Sequence, residues 1–232
     1  MNFSLIIPVA PSDNDWKTLI YDLTFLDSKD ECLLVSPVDL SDELSSIAKK
    51  VNLNCVLKWI YSDIGRAKQQ NIGAQNAMND FLWFVHCDSR LSADLFKELK
   101  RSLLIERNNF YFFNLKFTDD GTNLMRLNEL GVFIRSNFLR MPFGDQAFCM
   151  RKEIFYQLGQ FDEGASYGDD HLLVWKAHQS KIKTRCIQKS VVTSSRKYKD
   201  HGWSRTTLKY LKLTYTQAIP QLLKFLTKRE WQ

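Results

Sequence analysis

The sequence predicts an α/β protein: a mostly parallel central sheet flanked by helices, with a helical extension at the C-terminus. Three observations carry this prediction. Near-continuous apolar runs such as "SLIIPV", "CLLVSP" and "FLWFVH" suit strands buried on both faces. Segments with helical spacing separate those runs, the rhythm of βαβ units. The runs also end abruptly on polar residues, where open α/β sheets hold their ligands.

Taken in order, residues 3–9 predict the first strand and 15–26 a helix with apolar residues on one face. Residues 32–37 predict a second strand, followed by a helix over "SDELSSIAKKV" with Ser41 as its cap. A third strand falls at 55–61, a small-residue helix at 65–78 and a fourth strand at 81–86. After a helix at 92–105, capped by Ser92, the rhythm becomes less regular. Residues 110–117 predict a strand, 122–138 a helix, 146–151 a strand, 169–180 a helix and 190–195 a last strand. Residues 204–229 predict helix with a break at Pro220, whose ring and missing N–H oppose the helix. No repeat or linker divides the chain. The expected organisation is one domain over 1–203, nucleotide-binding about 1–105 and acceptor-binding about 106–203, with a basic amphipathic segment over 204–232 packed on it.

Composition limits the function classes. No apolar run approaches the ~20 residues needed to cross a bilayer, and "MNFSLIIPVAPSD" reads as a strand rather than an export signal. Five cysteines at wide spacings, with no C-x-x-C pair, suggest neither a disulfide framework nor a zinc site, so a reducing cytoplasm is the expected home. The net charge of +6 is uneven: residues 176–232 carry 14 Lys/Arg and 2 Asp/Glu, net +12, which leaves −6 for the rest. A basic C-terminal third suits phosphates, nucleic acid or an anionic membrane surface, and equally a solvated basic face. Nucleic acid lacks support, because no zinc-finger, RRM-like or helix-turn-helix signature is present.

Five segments bear chemistry. Asp88, just past a buried strand, is placed to bind Mg²⁺ or Mn²⁺, which prefer hard oxygen donors, or else to cap the helix that follows. In "SDIGRAKQQNIGAQNA" the helix begins with Arg66 and Lys68, where a bound diphosphate would use free N–H groups and offset two cations. Gly73, Ala74 and Ala77 let that helix lie close to the sheet. Asp169 and Asp170 precede an apolar helix as a general base with a neighbour that tunes it, or as a cap. Gly144, Asp145 and Gln146 form a polar turn in which Asp145 and Gln146 could hold a sugar or an acceptor hydroxyl, or else an ordinary turn. Arg196, Lys197, Lys199, His201 and Arg205 make a cationic patch suited first to phosphate, second to solvent and third, through His201, to a metal. The apolar stripe Leu208, Leu211, Tyr215 and Ile219 is expected to pack on the domain or a partner subunit, with a membrane surface as the alternative. Neither G-x-x-x-x-G-K-[ST] nor G-x-G-x-x-G occurs.

In order along the chain, "SLIIPV", "GRAKQQNIGAQNA", "FLWFVHCDSRLS", "GDQAFCMRKEIFYQLGQFDE", "YGDDHLLVWK" and "VVTSSRKYKDHGWSRTTL" resemble the family 2 glycosyltransferases. More closely they resemble the small bacterial subgroup labelled radical-SAM/selenodomain-associated transferase 2. The resemblance implies a GT-A-type, Rossmann-like fold and inverting transfer of a sugar from a nucleotide-diphosphate sugar to an acceptor hydroxyl. It implies a nucleotide base over Pro8, Val9 and Ala10, with Ser36 where the second strand meets the nucleotide. His86 would face the ribose, Asp88 would bind Mn²⁺ or Mg²⁺, and Asp170 would be the base, with Asp169 beside it. Arg66 and Arg196 would serve the diphosphate, and Gly144, Asp145 and Gln146 the acceptor. The acceptor would be a saccharide or a lipid-linked molecule, with peripheral contact at the inner face of the membrane and a homodimer through the C-terminal helices as further expectations. A nucleotide-sugar-binding relative without turnover is the alternative.

Overall fold

A computed structural model describes residues 1–118 and 124–229 of the chain. Seven strands form one sheet: β1 (Phe3–Pro8), β2 (Glu31–Ser36), β3 (Val56–Tyr61), β4 (Phe81–Phe84), β5 (Phe110–Phe117), β6 (Cys149–Arg151) and β7 (Thr184–Thr193). Their order is β3-β2-β1-β4-β6-β5-β7. All neighbours are parallel except at β6, which runs antiparallel to both β4 and β5. The α/β class and the mostly parallel sheet expected from the sequence are therefore observed.

The helices are α1 (Asp15–Asp22), α2 (Ser41–Val51), α3 (Arg66–Asn76), α4 (Ala93–Ile105), α5 (Met125–Asn137), α6 (Lys152–Gln157), α7 (Asp169–Gln179), α8 (Arg196–His201) and α9 (Trp203–Arg229). Alternation along the strands divides the core between the two faces of the sheet. Phe3, Leu5, Ile7 and Val9 join Trp16, Leu19, Leu44, Leu95 and Leu99 on one face. Ile6, Leu33, Val35, Leu82 and Phe84 join Ala67, Ala74, Phe155 and Leu173 on the other. Each fully buried large side chain contributes about 1.5–3 kcal/mol.

α3 shows how residue size sets position. A Cβ at Gly73 would stand 2.4 Å from Ile6 Cγ2 and 3.2 Å from Val35 Cγ2, so only glycine permits this approach. The buried Gln69 amide then donates to the carbonyls of Val9 (2.8 Å) and Val35 (2.7 Å), tying the helix to two strand ends.

Several expected boundaries are corrected. Ser41 is the first residue of α2 rather than its cap, and its N–H donates to the Asp39 carboxylate at 2.9 Å. Ser92 does cap α4, accepting from Leu95 N–H at 3.3 Å. The strand expected at 146–151 is only Cys149–Arg151, because Gly144–Gln146 form a 3-10 turn and Ala147 is left-handed at φ 51°. The strand expected at 190–195 begins at Thr184, where pairing with β5 orders a polar stretch with weak periodicity. Helix α9 continues through Pro220: a proline removes one N–H, and the flanking turns hold. Of the expected 122–138 helix, Thr122 and Asn123 lie outside the described residues, as do residues 230–232 of the C-terminal segment. The stripe at Leu208, Leu211, Tyr215 and Ile219 is exposed rather than packed on the domain.

Candidate active site

Parallel strands deliver their carboxyl ends to one edge of the sheet, and the antiparallel β6 brings its preceding turn to that same edge. Residues 86–88 follow β4, Thr193 and Ser194 end β7, and Phe143–Gln146 lead toward β6. Gly65 opens α3 in a left-side backbone conformation (φ 141°), and Gly168 opens α7 at φ 65°. A cavity of about 260 Å³ lies where these segments meet. Arg66, His86, Asp88, Asp145 and Asp170 line it, with Arg135 of α5 and Tyr210 and Gln217 of α9. The carboxylates of Asp88 and Asp170, remote in sequence, thus share one space.

Asp170 is held from several sides. Its Oδ2 accepts Gly144 N–H at 2.6 Å, its Oδ1 accepts His171 N–H at 2.8 Å, and Arg66 Nη2 stands 3.5 Å from Oδ1. Burial pushes its proton affinity up. Arg66, the two N–H groups and His86 push it down and prevail, so the carboxyl titrates below the usual range. The adjacent acids therefore do not yield a raised base at Asp170. Asp169 instead pairs with the Arg66 guanidinium. Burial disfavours the Arg66 charge, but Asp170, Asp169 and Asp145 more than offset it.

Gly144 permits this convergence. A Cβ there would lie 3.0 Å from Asp170 Oδ2 and 3.2 Å from His86 Nε2. Next to it, Asp145 is half-buried, and its Oδ1, shielded from solvent, has no hydrogen-bond partner among the described residues. Burial, aided by the charges of Asp170 and Asp88, pushes its carboxyl up to about 6 despite Arg135 and Arg66.

The other expected residues are placed differently. Gln146 is wholly buried and does not line the cavity. Its Oε1 accepts from Ser136 (2.8 Å), Phe143 N–H (3.0 Å) and Arg135 (3.2 Å), and its Nε2 donates to Phe113 O at 2.8 Å. Its amide braces the turn and is spent on protein. Arg196 stands 3.2 Å from Asp15, the first residue of α1, and 3.8 Å from Asp13 on the loop before it, and does not line the cavity. Lys199, His201 and Arg205 are also absent from the lining, and Lys68 pairs with the exposed Asp63. The Lys197 side chain lies outside the described residues. Pro8, Val9, Ala10 and Ser36 sit at the carboxyl ends of β1 and β2, apart from the cavity wall. Val9 O is occupied by Gln69, and Ser36 Oγ accepts Val38 N–H at 3.2 Å.

Sequence reasoning missed Arg135 and His171. The Arg135 guanidinium lies 3.4 Å from the Phe143 ring centroid, a cation–π contact within the lining. A lone arginine in "GVFIRSNF" was its only signal. His171 Nε2 accepts from Trp175 Nε1 at 3.1 Å, so Nδ1 carries the proton and donates to Gln217 Oε1 at 2.7 Å. The i, i+4 spacing of His171 and Trp175 was legible; Gln217, from the distant α9, was not.

Asp88, expected from the sequence to bind a cation, is one of the carboxylates that line this cavity. Among the described residues, no three His, Cys, Asp or Glu side chains group to hold a metal ion. Mg²⁺ and Mn²⁺ are commonly held by one or two carboxylates, with substrate phosphates and water completing the shell. The residues present thus fit a cation shared with a diphosphate, and do not fit an all-protein metal site.

No family profile matches the chain, and no curated protein matches its sequence. Solved structures do match its fold. A mannosyltransferase, PcManGT, from Pyrobaculum calidifontis, solved with GDP-Man and Mn2+, aligns with a TM-score of 0.69 and 15% identity, over 94% of this chain and 64% of that one. A TarS fragment from S. aureus with UDP-GlcNAc aligns at 0.62 and 16% identity, over 84% of this chain and 59% of that one. The longer S. aureus TarS aligns at 0.63 and 15% identity, over 84% of this chain and 37% of that one. The chain therefore spans between 37% and 64% of the length of these proteins. Its fold is that of glycosyltransferases.

Proposed function

We propose that the chain is a glycosyltransferase that moves a sugar from a nucleotide-diphosphate donor to an acceptor hydroxyl, inverting the anomeric carbon with the aid of Mn²⁺ or Mg²⁺. Within that class we assign it to family 2, and to the radical-SAM/selenodomain-associated branch its motifs resemble. The observation that carries this reading is the single cavity shared by Asp88, Asp145 and Asp170, with Arg66 facing Asp170. The fold supports it, since proteins of like fold have been solved with UDP-GlcNAc and with GDP-Man.

The chain's own residues suggest the mechanism. The nucleoside lies over the ends of β1 and β2, and His86 links that edge to the cavity. Asp88 would hold the divalent cation, which supplies positive charge against the diphosphate. Arg66 adds a fixed cation whose position is set by Asp169. Asp170 is ionised at neutral pH, and the N–H groups of Gly144 and His171 fix its orientation. As the acceptor oxygen bonds to the anomeric carbon, the carbon–diphosphate bond breaks and its electron pair leaves with the diphosphate. The acceptor proton passes to Asp170. The filled hydrogen bonds of Asp170 favour a second reading, in which donor is bound without turnover.

Thermal unfolding with nucleotide diphosphates and nucleotide sugars, with and without Mn²⁺, tests the donor class. A ligand at a hundredfold its Kd adds about 2.7 kcal/mol. Stabilisation by one base is expected, with the Mn²⁺-dependent part lost in Asp88→Asn. Asp170→Asn is expected to slow nucleotide release from the donor about 100-fold or more with binding kept. Silence across the panel would overturn the proposal, and binding without release would select the second reading.

A further inference from the structure

A second cavity, of about 860 Å³, opens between α5 and α9 over α7, well within the about 300–1,000 Å³ of ligand sites. Its walls include Leu127, Ile134 and Leu139 from the α5 side, Trp175 on α7, and Leu211 and Leu222 on α9. Arg135, Phe143, His171 and Tyr210 line both this groove and the smaller cavity, so the two adjoin across these side chains. The chain along and just after α5, and α9 itself, expose further apolar side chains: Leu130 is 55% exposed, Phe138 73%, Leu208 66% and Tyr215 65%. A patch of this kind on a soluble domain marks a binding surface.

Charge selects the occupant. Helix α9 carries Arg205, Lys209, Lys212, Lys224, Lys228 and Arg229 and no acidic residue. Two copies paired through α9 would oppose like charges, which disfavours the expected homodimer. An anionic bilayer complements them. No helix among the described residues is long and apolar enough to cross a membrane, so contact would be along the surface.

We propose that the groove holds the hydrocarbon chain of a lipid acceptor, drawn from an anionic bilayer against which α9 lies, with the hydroxyl of the lipid head reaching the cavity past Arg135. The lipid site stands on the groove and the charge; the head's role as acceptor rests on the glycosyltransferase reading. In that role the head oxygen forms the new bond to the anomeric carbon, the bond to the diphosphate breaks, and the proton passes to Asp170.

Trp175 and Trp203 line the groove, so tryptophan fluorescence reports its filling. The full chain is mixed with vesicles of chain-brominated phosphatidylcholine, with and without phosphatidylglycerol. Quenching should be several-fold stronger on the anionic vesicles. Gly131, on the groove wall, has no heavy atom within 4 Å of a would-be Cβ, so the backbone admits a side chain there and Gly131→Phe sets an aromatic ring on that wall. That variant should lose most of the quenching while its unfolding temperature stays the same or rises, since glycine is a poor helix former. Equal quenching of both proteins, or none on anionic vesicles, overturns the proposal. So does a dimer in light scattering that vesicles leave intact. Vesicle binding without any nucleotide-diphosphate shift would retain the lipid site and remove the donor reading; the reverse result would remove only the lipid.

Discussion

Asp170 and Asp145 show that neighbouring carboxylates in one cavity take opposite directions. Asp170 gains two N–H donors and faces Arg66, so its charge is kept. Asp145 has one oxygen without a partner, and burial pushes it up to about 6. Sequence could place both acids near the acceptor but could not rank them, because the ranking depends on N–H groups and an arginine from other elements. His171 gives a pH test at this scale. Burial lowers its proton affinity below the ordinary value of 6.5, Arg135 acts in the same direction, and Gln217 and Asp170 only partly oppose them. Its folded pKa is thus depressed, so its stabilisation is complete above 6.5 and is lost as pH falls from there through the folded value. The unfolding-temperature gap between the native protein and His171→Gln should therefore narrow as the pH falls below 6.5. A constant gap would show that the imidazole is not held neutral.

Elements meet through a few size-limited contacts, and α3 is the clearest. Its small residues were read in the sequence as a close-packing face, and Gly73 does face Ile6 and Val35. Gly73→Ala would push the helix off the sheet and strain the Gln69 bonds to Val9 and Val35. We expect a loss of about 1–3 kcal/mol, read as a lower denaturant midpoint. An unchanged midpoint would mean that α3 can shift freely. Caps were only partly legible. Ser92 caps its helix as its position suggested, whereas Ser41 lies inside α2, whose N-cap position is Leu40. Both serines precede helical patterns, and backbone geometry alone decides between them. Pro220 was expected to break α9, and the helix runs through it instead.

Across the whole molecule, stability should be uneven. Strands β1, β2 and β4 are buried on both faces, whereas Leu222, Leu223 and Leu226 of α9 are 46%, 59% and 48% exposed. Hydrogen exchange should protect the central strands at the level of global unfolding, with the α9 amides past Gln221 exchanging far sooner. Equal protection in both would contradict this. The sequence by itself determined the α/β class, the first four strands with their intervening helices, and the polar stops at His86–Asp88 and Asp169–Asp170. These are local patterns: long apolar runs, helical spacing and the residues that end them. Only the tertiary structure decided that β6 lies antiparallel between β4 and β5, and so that Gly144 and Asp145 reach Asp170. It alone withdrew Gln146 and Arg196 from the cavity and brought in Arg135, His171 and Gln217. Which partners a polar side chain finds depends on contacts between segments far apart in the chain, and hydrophobic periodicity carries no record of them.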